Sequence, residues 1–403
     1  MAHTQLTVAE MQGLYGPFTL TERVVQKIWL RGDFSRRQLT LVDGRRLVIR
    51  SGGAWNLLAG PDFRDARFVI DGVEVAGDVE VHFHAVDWVA HGHADDPAYD
   101  RVRLHVVLFP VGPGERGARH RDGREIATLV LLPLLHRDLE EYASDDALEG
   151  ITERDEWERF AELAALDPGE LRQVLQRSAV ERWRQKVHFA QLRIERLGFT
   201  EAAHHTALEI LGYRRNRASM LGVAAHYPLA EWVRGVELRE VYEAAPVEWQ
   251  TQGVRPFNHP RRRLEQYQWW VAAAPDWPQR LQAMLPRLSS CAQVEVADGR
   301  PRQAFQLAVL KEEMARHLGV GTVGGTRLDN LVCDGFLPLV AGWQPEADIF
   351  ALWFHWFLGD VPAQVRAALP KLGVTGRGVH PACHGWAQGL LGWLLKRDAR
   401  ASR

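Results

Sequence analysis

Cysteine is scarce. The 403-residue chain holds three, Cys291, Cys333 and Cys383, far apart and in no CxxC pair. A disulfide framework and a thiolate zinc site are therefore not expected. Long apolar runs are missing too. The longest, Leu337 to Trp343 and Ala351 to Leu358, are too short to cross a bilayer. Met1 to Gly13 lacks the basic region and apolar run of a secretory leader. A cytoplasmic protein with no membrane partner is the expectation. Excess charge is absent as well: the net charge is -2, so nucleic acid would have to be met by a local basic patch. Lys is sparse beside Arg, whose runs at Arg261, Arg262 and Arg263 and at Arg214, Arg215 and Arg217 are candidate patches. A GC-rich genome produces the same bias. There is no internal repeat and no low-complexity tract.

What remains is an ordinary soluble composition, 46% hydrophobic and 25% charged, in a chain long enough for two domains. Residues 20–31 read as a helix, with Thr21 as its cap and Val24, Val25, Ile28 and Trp29 at helical spacing. Strand-like segments follow. Leu39 to Val42, Asp43-Gly44 and Arg46 to Arg50 read as a hairpin, as do Arg67 to Ile70, Asp71-Gly72 and Val73 to Val75. Gly77 to Val86, Val102 to Phe109 and Ile126 to Leu131 add further strands. Past residue 135 helical periodicity takes over, with Asp167-Pro168 as one helix start. The expected organisation is an α/β domain with a mixed sheet over 1–133 and an α-helical domain over 134–403.

One strand carries chemistry. In Gly77 to Val86, alternation puts Val79, Val81, Phe83 and Ala85 on one face and Asp78, Glu80, His82 and His84 on the other. A solvated outer face is the usual fate of such a polar row. The neighbours argue otherwise. Asp62 precedes a strand, Asp87, His91 and His93 follow the polar row, and His105 lies on the next strand. Five of the 17 histidines fall between positions 82 and 105. Carboxylates with imidazoles suit Mn, Fe or Zn, and carboxylates alone suit Mg. Imidazole also serves as a general base near neutral pH.

Pro61-Asp62, a hairpin, and Glu80-Val81-His82 resemble the PD-(D/E)XK nuclease pattern, with His in place of Lys. That resemblance implies a restriction-endonuclease-like core. In it Asp62 and Glu80 bind the metal, His82 stands for the Lys, and Glu22 assists from the preceding helix. His84, Asp87, His91, His93 and His105 would form a second shell or a second metal site. A wider set of residues resembles a bacterial domain-of-unknown-function family, number 2851. It comprises Asn56-Leu-Leu-Ala-Gly-Pro-Asp-Phe63, Gly77-Asp-Val-Glu-Val-His82, Asp87-Trp88, His91-Gly-His93, Pro97-Ala-Tyr99 and Leu104-His-Val-Val107. Weaker similarity includes Glu22 to Trp29, Arg255-Pro-Phe-Asn-His-Pro with Arg263, and Ala387-Gln-Gly-Leu-Leu. The resemblance implies a Cys-rich tail in many members, which is not expected here. It carries no established activity.

The sequence thus points first to a metal-dependent nuclease or phosphodiesterase using Mg²⁺ or Mn²⁺ on nucleic acid. The alternatives are a catalytically inactive nuclease-like binding module and a His/carboxylate metalloenzyme acting on a small molecule. Trp88 and Tyr99 are read as loop anchors, and Trp269, Trp270, Trp353 and Trp356 as helix packing. His380 and His384, which flank Cys383, are read as packing too.

Overall fold

The computed structural model describes residues 20–401, apart from 113–116, 154–155, 214, 246–247, 253, 295–299, 322 and 377–380. The chain forms two compact units, one ending at Ala143 and one beginning at Ser144. Arg214 and His380 fall outside the described residues.

The first unit opens with helix α1, Glu22–Arg31. Val24, Val25, Ile28 and Trp29 are all buried, each contributing roughly 1.5–3 kcal/mol by leaving water. Trp29 stacks on Phe34, with centroids 5.6 Å apart, and donates to the Gly52 carbonyl at 3.0 Å. Gly32, at φ 61, stops the helix and returns its N–H to Ile28 and Trp29. Thr21 occupies the N-cap, but its side chain makes no capping hydrogen bond. Glu22 and Gln26, one turn apart on α1, point toward the site described below.

Seven strands follow: β1 (Leu39–Thr40), β2 (Arg46–Ser51), β3 (Ala54–Trp55), β4 (Phe63–Ile70), β5 (Val73–His82), β6 (Val102–Val107) and β7 (Ala127–Val130). Their order is β1-β2-β4-β5-β6-β7, with β3 also on β4. Pairings up to β4·β5 are antiparallel; β5·β6 and β6·β7 are parallel. The sheet is mixed and nearly closed. Val42 N, just past β1, donates to Thr128 O in β7 at 2.9 Å, and Phe34 bridges to Leu135.

The β4–β5 hairpin turns on Asp71 and Gly72, at φ 47 and 85, the left-handed pair that a tight hairpin requires. β5 is one strand of ten residues rather than the two segments the sequence suggests, and it ends at His82. His84 is therefore off the strand. From Gly77 onward both faces of β5 are buried, including Asp78, Glu80 and His82 at 5% exposure or less. The part of the polar row that lies on the strand, Asp78, Glu80 and His82, is not a solvated face.

The second unit is mostly helical. Its longest element, Pro168–Leu211, is capped by Asp167, whose carboxylate accepts from Gly169 N and Glu170 N. The helix breaks at Gly198, where φ is 75. Trp270, Trp277, Trp353 and Trp356 lie in its core, whereas Trp269 is exposed. His204, His205 and all three cysteines are buried. Among the described residues, no helix is long and apolar enough to cross a membrane.

Candidate metal centre

The crossover from β5 to β6 folds back over the polar face of β5. It contains a short helix, α2 (Asp87–Ala90), and the one-turn segment Pro97–Tyr99. Trp88 fixes it. This ring is fully buried, donates to Arg119 O at 2.9 Å, and meets His93, Tyr99, His105 and His120 with centroids 5.5–6.4 Å apart. His93 stacks on Tyr99 at 3.9 Å. Anchoring the crossover this way delivers His91 and His93 above His82.

Three imidazoles converge there. One ring nitrogen from each of His82, His91 and His93 lies within 4.8 Å of the others. His91 Nδ1 is 3.2 Å from His82 Nε2. Glu80 Oε1 joins them, 3.4 Å from His82 Nε2 and 3.2 Å from His93 Nε2. Metal–ligand bonds of roughly 2.0–2.2 Å in a tetrahedron place neighbouring ligand atoms about 3.4 Å apart. The His91–His82, His82–Glu80 and His93–Glu80 separations are close to such edges. Behind His82, its Nδ1 meets His105 Nε2 at 2.9 Å, so the nitrogen turned away from the cluster is held by an outer partner, as ligating histidines usually are.

The carboxylates are fixed by backbone. Glu80 Oε2 accepts from Asp62 N at 3.0 Å. Asp62 Oδ2 accepts from Val81 N at 2.9 Å, and its Oδ1 accepts from Gln26 Nε2 at 2.7 Å. Gln26 is itself oriented by Trp55, whose Nε1 donates to Gln26 Oε1 at 3.3 Å. Burial, then the neighbouring Glu80 carboxylate, push the Asp62 carboxyl up to about 8. Glu22 is also raised, first by burial; Asp87 and Glu80 add to the rise, while His91 and the Phe83 N–H oppose it. His82 and His105 are driven far down, first by burial, so both are neutral imidazoles. His82 thus cannot supply the permanent charge of the Lys it replaces in the nuclease pattern.

The structure brings Asp62, Glu80, His82, His91, His93 and His105 into one cluster, with Glu22 and Asp87 at its edge. His84 is not part of it: the ring is exposed and stacks on Phe109 at 4.9 Å. Asp87 caps its own turn, accepting from His84 N at 2.8 Å. Asp78 supports a bulge in β4, accepting from the N–H of Asp65, which sits at φ 57. Gln26 was not singled out from the sequence. Its position four residues after Glu22, on the same helix face, is the signal that marks it.

The chain matches the family described as "Protein of unknown function (DUF2851)" over residues 22–244. That span covers more than half of the chain, which belongs to this family. No curated protein and no solved structure matches it.

Proposed function

We propose that this protein is a divalent-metal-dependent hydrolase of the His/carboxylate kind, acting on a small molecule. The ion would be held by His82, His91 and His93 with Glu80. The observation that carries this reading is the convergence of three imidazole nitrogens within 4.8 Å beside a buried carboxylate. Imidazole nitrogens and a carboxylate oxygen brought this close together form a donor set that a cation between them would bring into one coordination sphere. The donor set fits Mn²⁺, Zn²⁺ or Fe²⁺; Mg²⁺, which prefers oxygen ligands, fits it poorly. When bound, such an ion supplies a Lewis acid and an activated water.

The chain's own residues do the rest. His105 holds the outer nitrogen of His82 and fixes which nitrogen faces the centre. Asp62 N–H orients Glu80, and Gln26 orients Asp62. Asp62 is then placed beside the centre as a group able to hold or release a proton. Trp88 and Tyr99 pack against the His93 ring and hold its orientation.

A second reading, a nuclease with a PD-(D/E)XK-like core, is favoured by the strand order. Asp62 immediately precedes β4, Glu80 lies on the antiparallel β5, α1 brings Glu22, and β6 runs parallel to β5. Here Asp62 and Glu80 would share Mg²⁺ or Mn²⁺, and nucleic acid would be the partner. Elemental analysis of the purified protein separates the two. A copurifying transition metal lost in His91→Ala supports the first. Mg²⁺-dependent cleavage of DNA or RNA, abolished by Asp62→Ala and Glu80→Ala and untouched by His91→Ala, supports the second and overturns the first.

A further inference from the structure

The arginine run after Pro260 has no part in the metal centre. It lies in the helical unit, in the first turn of the helix Pro260–Ala273. That turn is electrostatically inverted. A helix N-terminus carries partial positive charge and favours acids, yet this one holds Arg261, Arg262 and Arg263 and no acid. Its N-cap residue, His259, makes no side-chain capping bond. Among the described residues, the N–H groups of Arg261 and Arg262 meet no acceptor. Arg262 is paired with Glu265 at 3.4 Å. Arg261 and Arg263 have no carboxylate partner among the described residues.

Arg263 points to a ligand independently. It is only 7% exposed, and a charge so buried is normally paired. Its guanidinium has neutral partners instead: Nη1 donates to Gln266 Oε1 at 2.7 Å and Nη2 to Asn258 Oδ1 at 2.5 Å. Nε, buried as well, donates to nothing among the described residues. Nε and Nη2 form the edge of the guanidinium that grips an oxyanion side-on. Half of that edge is open. The other half is held by an amide oxygen from the residue before the N-cap, which fixes the guanidinium at the start of the helix. Burial, then the neighbouring Arg327, push Arg263 down to about 10, so it stays charged at neutral pH. Asp360 opposes that shift, but its two oxygens are already engaged, by Arg327 at 2.8 Å and Thr326 Oγ1 at 3.2 Å. Arg261 stays at the same end of the helix. Its guanidinium lies over the Tyr242 ring at 4.4 Å, and that ring stacks with His259 at 6.5 Å.

We infer that the start of this helix binds the phosphate of a small phosphorylated molecule. Arg263 grips it side-on, in place of Asn258 Oδ1, while the N–H groups of Arg261 and Arg262 and the Arg261 guanidinium complete the cradle. Helix N-termini and arginine forks both suit phosphate. Two uncompensated guanidinium charges match a phosphate monoester, which carries roughly -1.5 to -2 at neutral pH, better than a carboxylate. The inference does not rest on the metal centre.

Phenyl phosphate and acetate, titrated into the full chain by calorimetry, test this. Phenyl phosphate should bind at least about tenfold more tightly than acetate. Arg263→Lys keeps the charge but loses the fork, and should weaken phenyl phosphate about tenfold or more. Arg261→Gln, at an exposed position, should weaken it roughly twofold to fivefold, and it decides the matter if Arg263→Lys does not fold. Asn258→Ala removes the oxygen that the phosphate displaces and should bind at least as tightly as the native protein. His91→Ala/His93→Ala should bind with native affinity. The inference is overturned by equal affinity for acetate, by no binding to the native protein, by weaker binding to Asn258→Ala, or by loss of binding in the His91/His93 variant. Native affinity in a folded Arg263→Lys, even with a lower melting temperature, would show that the arginine only braces the turn. A single-stranded oligonucleotide that outcompetes phenyl phosphate, with affinity falling steeply with salt, would make the turn a nucleic-acid contact and overturn the small-molecule assignment.

Discussion

His82 Nδ1 lies 2.9 Å from His105 Nε2, and both rings are almost wholly buried. One of the two nitrogens must carry the proton. In the metal-centre reading His82 Nε2, beside His91 and Glu80, faces the ion, so the proton would sit on His82 Nδ1 and His105 would accept it. His105 is then the positioning residue of the centre.

Replacing it tests that assignment. His105→Leu keeps the volume close to that of the ring and removes the acceptor. Metal affinity should fall about 10–100-fold while the circular dichroism spectrum is unchanged. Unaltered affinity, measured by competition with a chromophoric chelator, would mean that the His82–His105 contact serves packing alone.

Gln26 ties α1 to the start of β4 through Asp62. Gln26→Leu leaves Asp62 Oδ1 without this donor, in a site where burial already disfavours the charged carboxylate. Leaving a buried acceptor without its donor costs about 1–3 kcal/mol. Urea denaturation should show a lower midpoint with an unchanged m-value. A midpoint equal to that of the native protein would show that water replaces the amide at no cost.

Acid should weaken the helical unit before its carboxylates titrate. His204 is fully buried, with Nδ1 2.6 Å from Tyr267 Oη and Nε2 3.0 Å from Tyr227 O. Burial holds its folded pKa down at about 4, below the ordinary 6.5. Between these values the unfolded chain binds the extra proton. The stability is therefore complete above pH 6.5 and is lost as pH falls toward 4. His205 is lowered too, first by burial, then by His204 and Arg193. Melting temperatures across pH 4–7 should fall steadily below 6.5, and His204→Gln should flatten that slope. A flat profile in the native protein would contradict the assignment.

The helical unit also buries a charged trio. Glu209 accepts from Arg193 at 2.7 Å and from Arg217 at 3.3 Å. Burial raises its carboxyl, but the two guanidinium groups outweigh this and hold it below the usual range. Removing one partner of a buried pair costs about 3–5 kcal/mol. Glu209→Gln should destabilise the protein by that order in equilibrium unfolding. A loss under 1 kcal/mol would place the trio in water.

Much of this architecture is written in local sequence. Asp71-Gly72 fixes a hairpin because the turn needs left-handed backbone. Val24, Val25, Ile28 and Trp29 mark the buried stripe of α1. Asp167-Pro168 opens a helix because the aspartate can cap it. The strand alternation of β5 also sorts Glu80 and His82 onto one face. It does not say what covers that face, since the covering residues are Gln26 from α1 and Trp88, His91 and His93 from the crossover. Nor does alternation reveal where the strand stops. Carried past His82, it assigns His84 to the polar row, although the chain has by then left the sheet. The near closure through Val42 and Thr128 depends on residues 86 positions apart and has no local signature.

The central claim is that His82, His91 and His93 hold a divalent ion. Metal content by mass spectrometry, after chelation and reloading with Mn²⁺ or Zn²⁺, tests it most directly. The account predicts close to one ion per chain in the native protein, with near-complete loss in His91→Ala/His93→Ala at unchanged helical content. Equal metal in the two proteins, or none in either after reloading, would contradict it.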